Sequence, residues 1–418
     1  MKGALRDVFL ATLPALDPGR AVREALRSMT LPPAATIRVV AIGKAGAAMA
    51  EAALEVVGPA AGLLVTPPGS ARVEGLAHLE AGHPIPDALS LQAAAGVRRL
   101  LRGCTPHDFV LFLLSGGGSA LCEQPLDPSI DLADLQAFQR ALVGSGLDIV
   151  RMNVIRKHAS STKGGRMAAW AAPARQLTLY VSDVPPAHPD AVASGPTMPD
   201  ASTVADCHRA LEAADLWDSI PATYARLLRD PGLAETPKTD DEVFAAASWH
   251  CVLDAQVAVD ALRAQCDARG WRTEVDLSVD DLPVADAARA LLHRARALKA
   301  AHPREPIAVL TAGELSCPIT GPGVGGRNQH FALACAQQIE GEAIAVLSAG
   351  TDGIDGSSSA AGAVVDGTTC ARARSRGLDP TTAYARSDAF PLFAALDDTI
   401  VTGPTGTNVR DLRIVLVP

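Results

Sequence analysis

Residues 109–119 read FVLFLLSGGGS, an apolar run that ends in three consecutive glycines between two hydroxyl side chains. The run 109–114 has the length and composition of a buried β-strand, which the glycine-rich turn would terminate. Glycines allow positive φ and close approach to a ligand, and the exposed N–H groups of such a turn favour an anion. The stretch predicts an α/β protein, although glycines in such a turn can also serve packing alone. The predicted phosphate- or substrate-binding residues of the turn are Ser115, Gly116, Gly117, Gly118 and Ser119.

Similar apolar runs recur along the first half of the chain and lead into alanine-rich segments, a pattern typical of parallel βαβ units. Between about residues 197 and 245 the sequence becomes polar and is interrupted by prolines, and further short apolar runs follow. We therefore predict two α/β domains, residues 1–240 and 241–418. Because ligands bind beyond the carboxyl ends of strands in open α/β sheets, we expect the loops of both domains to face a shared cleft. The runs in the first half are 37–42, 63–66, 109–114 and 177–182.

The composition limits the classes of partner. Of the 418 residues, 48% are apolar and 20% are charged, and the formal net charge is −9 with Lys and Arg spread along the chain, which argues against a nucleic-acid partner. The eight cysteines form no CxxC pair, so neither a zinc site nor a disulfide framework is indicated. The sequence shows no signal-like segment and no apolar stretch long enough to cross a membrane, so we predict a cytoplasmic protein. A homodimer is left open.

Two groups of basic residues are candidate anion ligands. Lys44 lies in IGKAG at a predicted strand-to-helix turn, where it can balance a phosphate or a carboxylate, or simply be solvated. The turn carries neither GxGxxG nor a Walker A motif. The segment 153–167, NVIRKHASSTKGGRM, contains Lys157 and is the densest cationic stretch in the chain. It fits recognition of an anionic substrate and a solvated helix face equally well.

Aspartates that follow predicted strands are the candidate bases and metal ligands. Asp183 follows the run 177–182, where it can accept a proton, hold Mg²⁺ or cap a turn. Asp352 lies in AGTDGIDG, residues 349–356, and two aspartates among glycines suit a hydrated divalent cation. We therefore predict Asp183 and Asp352 as ligands of Mg²⁺.

The second half also carries an arginine in a glycine-rich loop. Residues 321–329, GPGVGGRNQ, place Arg327 and Asn328 after four glycines, which resembles an anion site with a forked guanidinium at its mouth. A merely flexible loop is the alternative. Further candidate binding residues in this half are Glu314, Thr351 and Thr405.

Motifs along nearly the whole chain resemble those of the class II glycerate 2-kinases, the MOFRL family. In order they are AIGKAG, GHPIPD, LSGGGSAL, IRKH with KGGR, SDVP with ASGPT, GGRNQ, TDGIDG and TGPTGTNV. The resemblance implies an N-terminal Rossmann-like doubly wound sheet, a C-terminal α/β MOFRL domain, and phosphorylation of D-glycerate to 2-phosphoglycerate with ATP and Mg²⁺ in the cleft between them. The family's functional lysine, strand-end aspartate and loop arginine fall on Lys44, Asp183 and Arg327. These are the predicted catalytic residues.

The chain departs from the family's usual pattern at several positions. Residues 186–188 stand where a glycine and two acids are usual, and serines at 357–359 replace a segment that carries another acid. His330 takes the place of a glutamate, and Arg410 the place of a common asparagine. Two alternatives to the kinase therefore stay open: a non-catalytic ligand-binding homologue, and a hydroxypyruvate reductase, which the missing dinucleotide fingerprint disfavours.

Overall fold

The computed structural model describes residues 1–32, 36–185 and 187–418, and the chain divides into two units. The first is Pro18–Val252, and the second combines Met1–Asp17 with Leu253–Pro418. The predicted boundary at 240 lies shortly before this division, because a strand at Ala247–Leu253 joins the sheet of the first unit. The N-terminal helix α1 (Lys2–Thr12) belongs to the second unit, where Leu5, Val8 and Phe9 are buried.

The first unit is built on one sheet with the strand order β3-β2-β1-β4-β5-β6. The strands from β1 to β5 pair in parallel. The chain moves outward from β1 to β3 and then returns to β4 beside β1, so the strand order reverses between β1 and β4. This topological switch point is where doubly wound sheets bind ligands, and it confirms the predicted Rossmann-like fold. The strands are β1 Thr36–Ile42, β2 Ala61–Thr66, β3 Ala77–Glu80, β4 Asp108–Leu114, β5 Arg175–Val181 and β6 Ala247–Leu253.

Helices cover this sheet because its central strand has no polar face. Every residue of β4 is buried, as parallel strands between two helical layers require. The helix Ala88–Leu101 begins with a capping box in which Asp87 and Ser90 exchange hydrogen bonds. The helices of this unit are α2 Pro18–Ser28, α3 Gly46–Val57, α4 Ala88–Leu101, α5 Gly118–Leu121, α6 Leu132–Gly144, α7 Ile149–Ala159, α8 Arg166–Ala171, α9 Val204–Ala213 and α10 Ala222–Leu228, with 3₁₀ turns at Pro189–Ser194 and Glu242–Phe244.

The second unit contains a mixed sheet with the strand order β11-β10-β9-β12-β8-β7. Its last strand, β12, runs antiparallel to both neighbours, and Asp411 pairs with Gly313 on one side and Gly350 on the other. The first residue of β12 therefore lies at the edge where β8 and β9 end. The strands are β7 Arg272–Val275, β8 Ile307–Gly313, β9 Ala345–Gly350, β10 Gly362–Asp366, β11 Thr399–Ile400 and β12 Asp411–Val417.

The helices of the second unit pack on this sheet around an apolar core that includes Leu291, Phe331 and Phe393. Within the described ranges, no helix is long and apolar enough to cross a membrane. The helices that follow α1 in this unit are α11 Ala255–Asp267, α12 Val284–Ala301, α13 Arg327–Gln338, α14 Thr369–Ser375, α15 Pro380–Ala385 and α16 Ala389–Leu396, with a 3₁₀ turn at Leu13–Leu16 after α1.

Candidate functional site

Hydrogen bonds join the turns that follow β1 and β4 at the switch point. The backbone N–H of Lys44 donates to the carbonyl of Gly116 at 2.9 Å, and that of Ala45 donates to the Ser115 hydroxyl at 3.0 Å. Gly43 has a φ of +128°, and a Cβ there would collide with Ser115, so this close approach requires glycine. Ser115 is buried and acts as a hydrogen-bond acceptor between the two turns.

Three ionisable side chains surround the glycine turn. A Cβ on Gly116 would collide with the Asp183 carboxylate. Gly117 has a φ of +89°, and a Cβ there would lie 3.3 Å from His83 Nε2 and 3.5 Å from Lys44 Cγ. One ammonium, one imidazole and one carboxylate therefore lie beside two adjacent glycines, so the structure brings Lys44 and Asp183 to the same turn.

His83 is a member of this group to which the sequence reasoning gave no role. Partial burial and the charge of Lys44 lower the pKa of His83, so the imidazole is neutral at neutral pH. A neutral imidazole can donate one hydrogen bond and accept another. In the sequence, His83 lies in GHPIPD, just after β3 (Ala77–Glu80). Because β3 is parallel to β2 and ends at the same edge of the sheet, that position indicates a residue near the glycine turn.

Ser119 fixes the short helix α5 to a strained segment of the first unit. Its hydroxyl lies 2.7 Å from the Ser194 hydroxyl, which donates to Asn153 Oδ1 at 2.9 Å. Ala193 and Ser194 have φ values of +51° and +61°, which is uncommon for residues other than glycine. Gly118 lies against Ala193, so a Cβ at Gly118 would approach it too closely. Ser119 therefore holds the glycine turn in position.

The lysines of the cationic segment are buried in ion pairs. Lys157 is 4% exposed, and its Nζ lies 2.5 Å from Asp190 Oδ2 and 3.2 Å from Asp200 Oδ1. Lys163 is also buried; it pairs with Glu123 and donates to the Ser119 carbonyl at 2.9 Å. The structure thus places Lys157 in ion pairs with two carboxylates, and its role in anion binding stays a prediction. Lys163 supports the glycine turn through its bond to the Ser119 carbonyl.

In the second unit, Arg327 joins the ends of β8 and β12. Its Nε lies 2.6 Å from Asp411 Oδ2, and its Nη2 lies 2.9 Å from Glu314 Oε1. Arg413 Nη2 is 3.0 Å from the same Asp411 oxygen. Burial opposes the ionised form of Asp411, but Arg327 and Arg413 hold its pKa below the usual range. The predicted residues Arg327 and Glu314 therefore meet directly, and Arg327 has a second carboxylate partner, Asp411, which was not among the predicted site residues.

The N-terminus of α13 is occupied by a carboxylate of the chain itself. The backbone N–H groups of Asn328 and Gln329 donate to the Asp355 carboxylate at 3.0 and 2.9 Å. A Cβ on Gly326 would collide with Asp355, and burial raises the pKa of that carboxyl group. Asn328 is buried, and its side-chain oxygen accepts from Ser348 at 2.6 Å. The structure thus places Asp355 where the sequence reasoning expected a bound anion.

The predicted threonines hold the loop that carries Asp352. Thr351 Oγ1 donates to the Arg410 carbonyl at 2.7 Å and accepts from the Val409 N–H at 2.9 Å. Thr405 Oγ1 donates to the Thr351 carbonyl at 2.6 Å. These bonds fasten the loop after β9 to the segment before β12, so Thr351 and Thr405 support the position of Asp352.

Arg410 has a φ of +72°, a conformation that asparagine tolerates better than arginine. Its guanidinium forms two hydrogen bonds with Asp280, at 2.5 and 2.8 Å. We expect Arg410→Asn to have a free energy of unfolding about 1 kcal/mol higher than Arg410→Ala, because both lose the ion pair and alanine retains the left-handed strain. Urea denaturation of the two variants measures this difference. Equal stabilities would show that the backbone at this position is not strained.

The described residues offer Mg²⁺ single carboxylates rather than a preformed cluster of ligands. In residues 1–32, 36–185 and 187–418, no three His, Cys, Asp or Glu side chains form a group that could hold a metal ion. Mg²⁺ that binds with a nucleotide commonly uses one or two carboxylates, with phosphates and waters as its other ligands. Asp183, beside Gly116, and Asp352, after β9, suit that mode and stay predictions. Of the departures after Asp183, Pro186 lies outside the described residues.

Comparisons with known proteins agree with this architecture. Residues 4–229 match the Domain of unknown function (DUF4147), and residues 307–411 match the MOFRL family. The D-glycerate 2-kinase of Thermotoga maritima is 36% identical over 98% of this chain and 97% of its own length. A protein of Agrobacterium vitis with a provisional hydroxypyruvate reductase name is 38% identical over 91% of this chain and 98% of its own length. The crystal structure of Thermotoga maritima glycerate kinase superposes with a TM-score of 0.89 at 35% identity and covers 100% of this chain and 99% of that one. Both family models match, and the 36% identity to the Thermotoga maritima enzyme extends over nearly the whole chain. The chain therefore belongs to the glycerate 2-kinase family, which carries the MOFRL domain.

Proposed function

We propose that this protein transfers the terminal phosphoryl group of ATP to the 2-hydroxyl of D-glycerate and forms 2-phosphoglycerate. The observation that carries the proposal is the grouping of Lys44, His83 and Asp183 around Gly116 and Gly117 at the switch point of the first sheet. Phosphoryl transfer has a loose transition state, so the protein mainly positions the reactants and neutralises charge. A cation, a carboxylate and a turn that admits close approach supply those needs.

Each group has a role in this reaction. The ammonium of Lys44 stabilises anionic oxygens of the substrate or of the transferred group. The carboxylate of Asp183 accepts the proton of the attacking hydroxyl or holds Mg²⁺. Arg327, whose guanidinium is oriented by Asp411 and Glu314, supplies a second fixed cation. Mg²⁺, when bound with ATP, would neutralise phosphate charge, and Asp183 and Asp352 are the residues that would hold it.

The turn after β1 argues against a hydroxypyruvate reductase. In Rossmann dinucleotide sites, the first strand-to-helix turn presents its N–H groups to the pyrophosphate. Here every backbone N–H from Gly43 to Gly46 already donates to an acceptor within the first unit. These four N–H groups are therefore not available to the pyrophosphate of NADH. Consumption of NADH with hydroxypyruvate as the substrate would instead support the reductase function.

The direct test is ATP consumption by the purified protein with Mg²⁺ and D-glycerate, beside L-glycerate and other 2-hydroxy acids. We expect turnover with D-glycerate, and ³¹P NMR of the product should place the phosphate on the 2-hydroxyl. Nucleotide binding without turnover on any acid would indicate the non-catalytic homologue. Cytoplasmic location, a homodimer and a cleft shared by the two domains stay predictions.

A further inference from the structure

The second unit contains a cavity of about 650 Å³, within the range of about 300–1,000 Å³ that ligand pockets occupy. Its lining combines the ionisable groups Arg327, Asp352 and Asp355 with apolar side chains and the ring of His330. We propose that this cavity binds the purine nucleotide, with the base against the apolar side chains and the phosphates at Arg327. The proposal rests on the kinase function and assigns the nucleotide to the second unit. The apolar lining residues are Leu315, Ile319, Ile354 and Ala389.

Uncovered apolar side chains indicate a ligand larger than glycerate. Ile319 is 84% exposed and Ile354 is 48% exposed, and both line the cavity. Large apolar groups left open to water beside a cavity are typical of ligand sites. A three-carbon hydroxy acid has almost no apolar surface to cover them, whereas a purine ring does. The cavity is also far too large for glycerate alone.

The walls of the cavity are already formed without a ligand, because hydrogen bonds and close packing hold them. The N–H of Val324 donates to Asp388 Oδ1 at 2.8 Å, and the N–H of Phe390 donates to the Val324 carbonyl at 3.0 Å. A Cβ on Gly321 or Gly323 would approach the backbone of Arg386 too closely. The glycines of this loop therefore serve its close packing on the segment between α15 and α16. A preformed wall lowers the ordering cost of binding.

His330 contributes a flat, uncharged surface to the cavity. Its ring stacks on Tyr384 with centroids 4.0 Å apart and an interplanar angle of 16°, which fixes the ring plane. Burial lowers the pKa of His330, so it carries no charge at neutral pH. Stacking on such a ring suits an aromatic base. The family's usual glutamate at this position would offer a charged group instead.

Cysteine alkylation tests the proposal without measuring activity. Cys317 lines the cavity and is partly exposed, and Cys251 of the first unit is the matched reference because it is also partly exposed. The full chain is treated with iodoacetamide, with and without ADP and Mg²⁺, and both peptides are followed by mass spectrometry. Burial raises the pKa of the Cys317 thiol, so the reaction is run at alkaline pH. At ADP concentrations ten times Kd, we expect Cys317 alkylation to slow about tenfold, with Cys251 unchanged.

The result separates this proposal from the kinase function. Unprotected Cys317 in a preparation that phosphorylates glycerate would overturn the nucleotide assignment and leave the kinase intact. Protection of Cys317 in a preparation with no turnover would support the cavity and overturn the proposed reaction.

A second measurement uses side chains that are exposed, so that folding is not at risk. The double variant Ile319→Ala, Ile354→Ala should raise the Kd for ADP about tenfold in calorimetry, because it removes apolar contact area. The control is Val401→Ala, since Val401 is 65% exposed and does not line the cavity. Equal Kd values for the double variant and the control would contradict the proposal.

Discussion

Replacing Lys44 with alanine is expected to lower kcat for D-glycerate phosphorylation about a hundredfold or more. The side chain is exposed and its Cγ lies beside Gly117. No ion pair of Lys44 is found in the part of the chain that the structure describes, in contrast to Lys157 and Lys163, which pair with the buried carboxylates of Asp200 and Glu123. Its charge is therefore available to an anionic ligand. Steady-state kinetics with D-glycerate and ATP measure the effect.

Two further variants define what the loss means. Lys44→Arg keeps the charge but changes the shape of the donor, so it should retain part of the activity. Lys299→Ala removes a lysine of α12 that donates to the Glu305 carbonyl at 3.0 Å, and it should leave kcat and KM unchanged. If Lys44→Ala were as active as Lys299→Ala, Lys44 would have no part in the chemistry. An unchanged circular dichroism spectrum would establish that Lys44→Ala is folded.

The first sheet was predictable because its strands β1 to β5 run in parallel. Each strand ends at the same edge, so Lys44 and Asp183 could be identified as residues that follow apolar runs, and the structure confirms the Rossmann-like fold. His83 was harder to identify because β3, Ala77–Glu80, has only half-buried or exposed residues and no apolar run. Lys157 shows the limit of reading charge from sequence, since Asp190 and Asp200 are distant along the chain and neutralise it only in the fold.

Asp411 could not be identified by the same rule because β12 runs antiparallel to its neighbours. An aspartate before an apolar run normally marks the far end of a parallel strand, away from the ligand edge. Here antiparallel pairing brings Asp411 level with Gly313 and Gly350, the last residues of β8 and β9. Local sequence does not specify strand direction, so the partner of Arg327 appears only when the sheet is assembled.

The variant Asp411→Asn is expected to lower the free energy of unfolding of the second unit by about 3–5 kcal/mol, the usual cost of removing one partner from a buried ion pair. Asp411 and Arg413 are each 1% exposed. Without the Asp411 carboxylate, the buried charge of Arg413 would keep only its hydrogen bonds to the Gly313 carbonyl and Asn328 Oδ1. Because the two units can unfold separately, hydrogen exchange of peptides from α13 and β12 is the appropriate measurement, with peptides from β4 as the internal reference. Equal protection of these peptides in the two proteins would contradict the prediction.

The pH dependence of this difference tests its electrostatic origin. The pKa of Asp411 is lower in the folded protein than in the unfolded chain, so its stabilising contribution is fully present above the usual aspartate pKa of about 3.9 and is lost as the pH falls below it. The gap in stability between the wild type and Asp411→Asn should therefore be constant near neutral pH and shrink in acid. The control Asp286→Asn removes an exposed partner of Arg289 on α12 and should change stability little at any pH. A gap that persisted unchanged below the usual aspartate pKa would assign the loss to packing rather than to the charge that orients Arg327.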